Sequence, residues 1–165
     1  MTLTKTVLTS VFAVAIGSIA WAQSATITAQ DFATMAASSD LLEIRSSELA
    51  LQKAQNADVK AFAQMMIKDH EEASKNLMAA AQEDGVTISG EMTEKHAAEL
   101  EKLNNAGEFD GAYVGAQVAA HEEAVGLMTS FAENGDSAAL KAHAAKTAPI
   151  IQMHLEHAQK LDAAM

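Results

Sequence analysis

Six histidines and no cysteine carry the metal-binding potential of this 165-residue chain. His70, His121 and His154 fall on the apolar stripes of three separate helical segments, and Glu43 holds an edge position on a fourth. His70 follows Met66 by four residues and precedes Leu77 by seven; His121 follows Val114 by seven and precedes Met128 by seven. His154 follows Ile151 by three and precedes Leu161 by seven, while Glu43 neighbours Leu42. Residues three, four and seven apart share one face of an α-helix, so the three rings are expected to point inward. Three imidazoles and a carboxylate suit zinc, copper, iron or nickel, because neutral histidine nitrogen is a common ligand for these metals. The alternative is structural: the buried rings hydrogen-bond to Asp69, Tyr113, Glu122 or one another and fix helix register without metal.

Other chemistry is thinner. His154 and His157 are three apart and could share a ligand, but a pair near a helix end reads more simply as a solvated face. Met65, Met66, Met78, Met128 and Met153 offer soft sulfur for cuprous copper, although methionine ordinarily fills cores. His96 and His143 are expected on exposed faces. No glycine-rich phosphate loop, cysteine nucleophile or serine, histidine and acid grouping is present, so hydrolase and nucleotide chemistry have no foothold. An enzyme therefore ranks behind a metal-binding bundle and a non-catalytic structural or interaction protein.

The elements that must position these residues are all helical, since the apolar residues recur at three- and four-residue spacing. The first long helix is expected over about 29–54, with Phe32, Met35, Ala36, Leu42, Leu49 and Ala50 on its stripe. The second starts near Asp58 and stops at Gly85. After a loop to Gly90, a short helix of about 92–104 precedes the third long helix, which runs from Phe109 to the Asn134-Gly135 stop. Asp136 is placed to cap the fourth, at about 137–163, which Pro149 should kink. Short turns make two antiparallel hairpins. The connection between them exceeds 20 residues, enough to travel the bundle's length and set the second and third long helices parallel, the ferritin-like arrangement. That topology levels His70 with His121, while His154 remains about five residues, or roughly 7 Å, out of level, a gap that the lean of side chains toward the helix N-terminus shortens but need not close.

The N-terminus reads as an export signal. Lys5, an uncharged apolar run from Val7 to Ala20 and Ala20-Trp21-Ala22 place cleavage after Ala22, giving a signal peptide of residues 1–22 and one domain of residues 23–165. The run is too short for a bilayer span, so the expected address is the periplasm, with no membrane span in the mature form. The formal charge of −11, which becomes −12 on losing Lys5, argues against nucleic acid as partner. A homo-oligomer is compatible with the composition, and no protein partner can be read from it.

Four segments together resemble the domain-of-unknown-function 4142 family: EIRSSELALQKAQ from Glu43, DVKAFAQMMIKDH from Asp58, GEFDGAYVGAQVAAH from Gly107 and PIIQMHLEHA from Pro149. The resemblance implies a ferritin-like fold, export by bacteria and the frequent label "predicted outer membrane protein", but no established reaction. The matching positions are Glu43, Asp69, His70, Phe109, Asp110, His121 and His154. Ferritin-like di-iron sites carry a glutamate three residues before each of two histidines. Here those positions hold Ile67, Val118 and Ile151, so oxygen-activating di-iron chemistry is not expected.

Overall fold

Among the described residues, four of five helices begin with a side chain that accepts an otherwise unpaired backbone N–H. In a computed structural model that describes residues 27–165, these are Thr28, Asn56, Thr93 and Ser137. They open α1 (Ala29–Lys53), α2 (Ala57–Glu83), α3 (Glu94–Asn104) and α5 (Ala138–Asp162). The remaining helix, α4 (Phe109–Asn134), starts without a side-chain cap. Among the described residues there is no strand. The expected signal peptide and its cleavage after Ala22 lie outside them.

The ends follow the chemistry of their residues. α2 stops at Gly85, whose φ of 69° is the left-handed conformation glycine adopts freely. There Val86 N–H bonds to the Ala81 carbonyl and Gly85 N–H to that of Gln82. Gly135 ends α4 for a different reason. Its φ is −60°, and a Cβ there would come within 2.7 Å of the Phe131 ring. Ser137, rather than Asp136, caps α5, and Asp84 reinforces it by bonding to the Ser137 hydroxyl and the Leu140 N–H. α5 continues through Pro149.

α1 packs against α2 and α4, and α5 against the same two, so the four long helices surround one interior. Two apolar clusters close its ends. One joins Ala50 and Ala54 of the α1 end, Val59, Phe62 and Met66 of α2, Tyr113 and Val114 of α4, and Ala158 of α5. The other joins Phe32 and Ala36, Leu77 and Ala81, Met128 and Phe131, and Leu140 and Ala144. The starts of α2 and α4 thus share one cluster, and these two helices run parallel. The 24 residues from Asp84 to Gly107 cross the length of the bundle, with α3 laid against α1 and α4. Met35, expected on the inner stripe, is 44% exposed because Phe32, Ala33 and Ala36 define that face.

Candidate metal centre

Between the two apolar ends lies a polar layer. Asp40, Glu43, Ser46 and Ser47 of α1, His70 of α2, Gln117 and His121 of α4, and His154 of α5 are all buried. Each occupies a stripe position that an aliphatic residue fills elsewhere in the same helix. On α4 the inward series is Tyr113, Gln117, His121, Ala124, Met128 and Phe131, in steps of four, four, three, four and three.

His70, His121 and His154 come together, with one nitrogen from each within 4.8 Å of the others. Their ring centroids are 5.6 to 5.7 Å apart. Every ring is held by its other nitrogen. Nδ1 of His70 donates to Asp40 at 2.8 Å, and Asp40 also accepts the Ser74 hydroxyl at 3.1 Å. Nδ1 of His121 donates to the backbone carbonyl of Gln117 at 2.8 Å, and Nε2 of His154 donates to Asp69 at 3.0 Å. In the neutral rings these bonds leave lone pairs on Nε2 of His70, Nε2 of His121 and Nδ1 of His154. All three atoms are buried and without a hydrogen-bond partner. Buried polar nitrogens are rarely left this way, and metal-binding histidines characteristically donate their opposite N–H to a carboxylate or carbonyl.

The levelling of His154 has a geometric cause. In the α4–α5 hairpin His121 lies 13 residues before Asn134, and His154 lies 16 after Ala138. Side chains lean toward the start of their own helix. The two helices are antiparallel, so the rings lean toward each other and the offset closes.

Glu43 stands beside the triad. Its carboxylate accepts from Gln117 Nε2 at 2.6 Å and approaches Nδ1 of His121 to 3.9 Å, on the side of the ring away from the free nitrogen. Gln117 also donates to Ser46 at 3.3 Å. Of the partners considered for a purely structural role, Asp69 is used; Tyr113 bonds instead to Ser47 at 2.8 Å, and Glu122 is exposed.

The electrostatics set His70 apart from the other two rings. Burial works against a charge on His70, but its bond to Asp40 and the nearby carboxylates of Glu43 and Asp69 outweigh this and raise its pKa. Burial, reinforced by repulsion from His70, pushes His121 and His154 down to about 4 each. Burial raises the pKa of Glu43.

Asp40, Gln117 and His143 were not singled out as inward residues by sequence reasoning. Their signal was available, since Asp40 falls in the series Phe32, Ala36, Asp40, Glu43, Ser47 and Ala50. His143, expected to be exposed, is 6% exposed and follows Leu140 on the inner face of α5. His96 is half-buried and lies 2.6 Å from the Ser38 hydroxyl, tying α3 to α1. His157 is exposed and meets the edge of Phe62, apart from the triad.

The fold and site define an all-helical protein with three converging nitrogen donors in its interior. The chain belongs to the family described as domain of unknown function (DUF4142), which matches residues 16–161. Its fold is similar to that of CopM in the Cu(II)-bound form, with a TM-score of 0.69 and 20% identity over 82% of this chain and 95% of that one. For CopM in the Cu(I)-bound form the TM-score is 0.67 and the identity 20%, over 81% and 94% of the two chains. A DUF305 fragment from Deinococcus radiodurans gives 0.71 and 13%, over 84% and 99%. At these identities the likeness is one of fold. No curated protein matches the chain by sequence.

Proposed function

We propose that this protein is an exported ferritin-like bundle that binds one transition-metal ion through Nε2 of His70, Nε2 of His121 and Nδ1 of His154. The observation that carries the reading is the pairing of three unpartnered buried nitrogens with three ring N–H groups held by Asp40, Gln117 and Asp69. Three neutral nitrogen donors suit copper or zinc. The fold shared with copper-bound CopM favours testing copper first. Iron ranks lower because the positions three before each histidine are Ile67, Val118 and Ile151. Glu43 stands outside this ligand set, bonded to the side-chain amide of Gln117, while the backbone carbonyl of Gln117 orients His121.

Metal analysis of the purified protein, followed by thermal melts with chelator and then with copper or zinc, tests the reading. A ligand that binds only the folded state raises its stability, and His121→Ala should remove that rise. The competing reading, a structural or interaction bundle, draws on the hydrogen-bonded set of Glu43, Gln117 and Ser46, which fixes α1 against α4 without metal. It forecasts melting temperatures indifferent to every ion. Export is tested separately. Secreted protein should begin at Gln23 and, having lost Trp21, the chain's only tryptophan, should show no tryptophan emission.

A further inference from the structure

We infer that metal reaches the triad along the groove between α2 and α5, with His143 as a transient ligand on the way; this rests on the triad being a metal site. Two large grooves flank the polar layer. The one between α2 and α5, about 750 Å³, has His70 and His154 in its walls together with His143, Asp69 and Met153. The other, about 1030 Å³, lies among α1, α3 and α4 and includes none of the three histidines. Its deepest polar groups are Glu43 and Gln117, buried and bonded to each other, and Glu43 meets His121 on the edge away from the free Nε2. An ion arriving from that side would have to break the Glu43–Gln117 bond. On the α2–α5 side the corresponding bond is that of His154 to Asp69, a carboxylate with 27% of its side chain exposed.

The walls of the α2–α5 groove also suit a cation. Asp69, with 27% of its side chain exposed, runs from solvent to the His154 ring. Met153 is 54% exposed and offers a soft sulfur at the rim. Deeper in, His143 is 94% buried and makes no side-chain hydrogen bond, and burial lowers its pKa, keeping the ring uncharged and able to take an ion. Neither nitrogen of His143 is sealed from solvent or bonded to protein, and the ring stands on the wall of a groove that also holds His70 and His154, which places it for a hand-off role.

Stopped-flow uptake of copper(II) and of zinc(II) from a weak chromophoric chelator, and release to a strong one, tests the route. Ala73→Phe narrows the groove one turn from His70, Ala142→Phe narrows it farther along, and His143→Ala removes the transient ligand. Each should slow uptake and release together by tenfold or more while leaving Kd within threefold, because a route changes both rates and not their ratio. Ala119→Phe, in the other groove, should leave both rates unchanged. Two outcomes overturn the route: wild-type rates in all three α2–α5 variants at retained affinity, or slowing confined to Ala119→Phe. A wild-type protein that binds neither ion defeats the site itself and the route with it. Circular dichroism identifies any variant that fails to fold, and the remaining variants decide.

Discussion

The two ends of the bundle and its middle are built on opposite terms. At the ends the inward positions are aromatic or aliphatic, as where Phe32 stacks on Phe131 with centroids 3.9 Å apart. In the middle the same helical positions carry Asp40, Glu43, Gln117 and the three histidines, and three of their nitrogens have no partner. Burial of apolar surface stabilises, whereas an unpaired buried polar atom costs about 1 to 3 kcal/mol. Stability is therefore concentrated at the ends, and the middle spends part of it to keep nitrogen lone pairs free.

The contrast can be broken first at an end. Phe131→Ala should cost about 3 to 5 kcal/mol, as for other buried phenylalanines, and by the same amount with chelator or with metal. A loss that changed with metal would mean that end and middle are not separate. Urea unfolding measures it.

Between pH 6.5 and 4.5 acid should act chiefly on the histidines of the middle. The folded His121 refuses a proton until about pH 4, whereas the unfolded residue accepts one near 6.5. Stability present above pH 6.5 is accordingly lost as the pH falls toward 4, by roughly 3 kcal/mol if the whole shift is expressed. His154, shifted the same way, adds to the loss. His70 and Glu43 have the opposite sign: each contributes fully below its unfolded value and loses that contribution as the pH rises through its raised folded value. Metal-free protein unfolded in urea at a series of pH values should lose more stability on acidification than His121→Leu does. Parallel profiles of the two from pH 6.5 to 4.5 would contradict the burial of a neutral His121.

Metal should reverse the sense of the middle layer. At a hundredfold excess over its dissociation constant, an ion bound only by the folded state adds about 2.7 kcal/mol. His121→Ala or His70→Ala should abolish that gain, read as a melting temperature equal with chelator and with copper or zinc. Glu43→Gln should have the smallest effect, below about 1 kcal/mol in stability and within threefold in metal affinity, since the residue meets Gln117 rather than the free nitrogens. A tenfold loss of affinity would make Glu43 a ligand.

Much of this division was legible in the sequence. Helix ends were marked by residues with specific backbone roles, Gly85 and Asn134-Gly135 among them, and histidine is rare enough on an apolar stripe to be noticed. Asp40 and Gln117 were harder to find because a periodicity count that admits only apolar residues treats a polar residue on the stripe as an interruption. His143 was passed over for the same reason. The level of His154 depends on how far opposed leans close the offset between two antiparallel helices, which spacing along the chain bounds but does not fix. The partner of each ring depends on which helices become neighbours, and that is a tertiary fact.

Asp110, in the first turn of α4, accepts the backbone N–H groups of Gln55 at 3.0 Å and Asn56 at 2.7 Å, both in the turn between α1 and α2. These two amides bond to a residue that arrives from the other half of the chain, after the long crossover. The first hairpin consequently leaves its own turn unfinished until the second hairpin docks. In hydrogen exchange, Gln55 and Asn56 report on the joining of the halves: their protection should match the whole protein's opening free energy rather than that of a fraying loop.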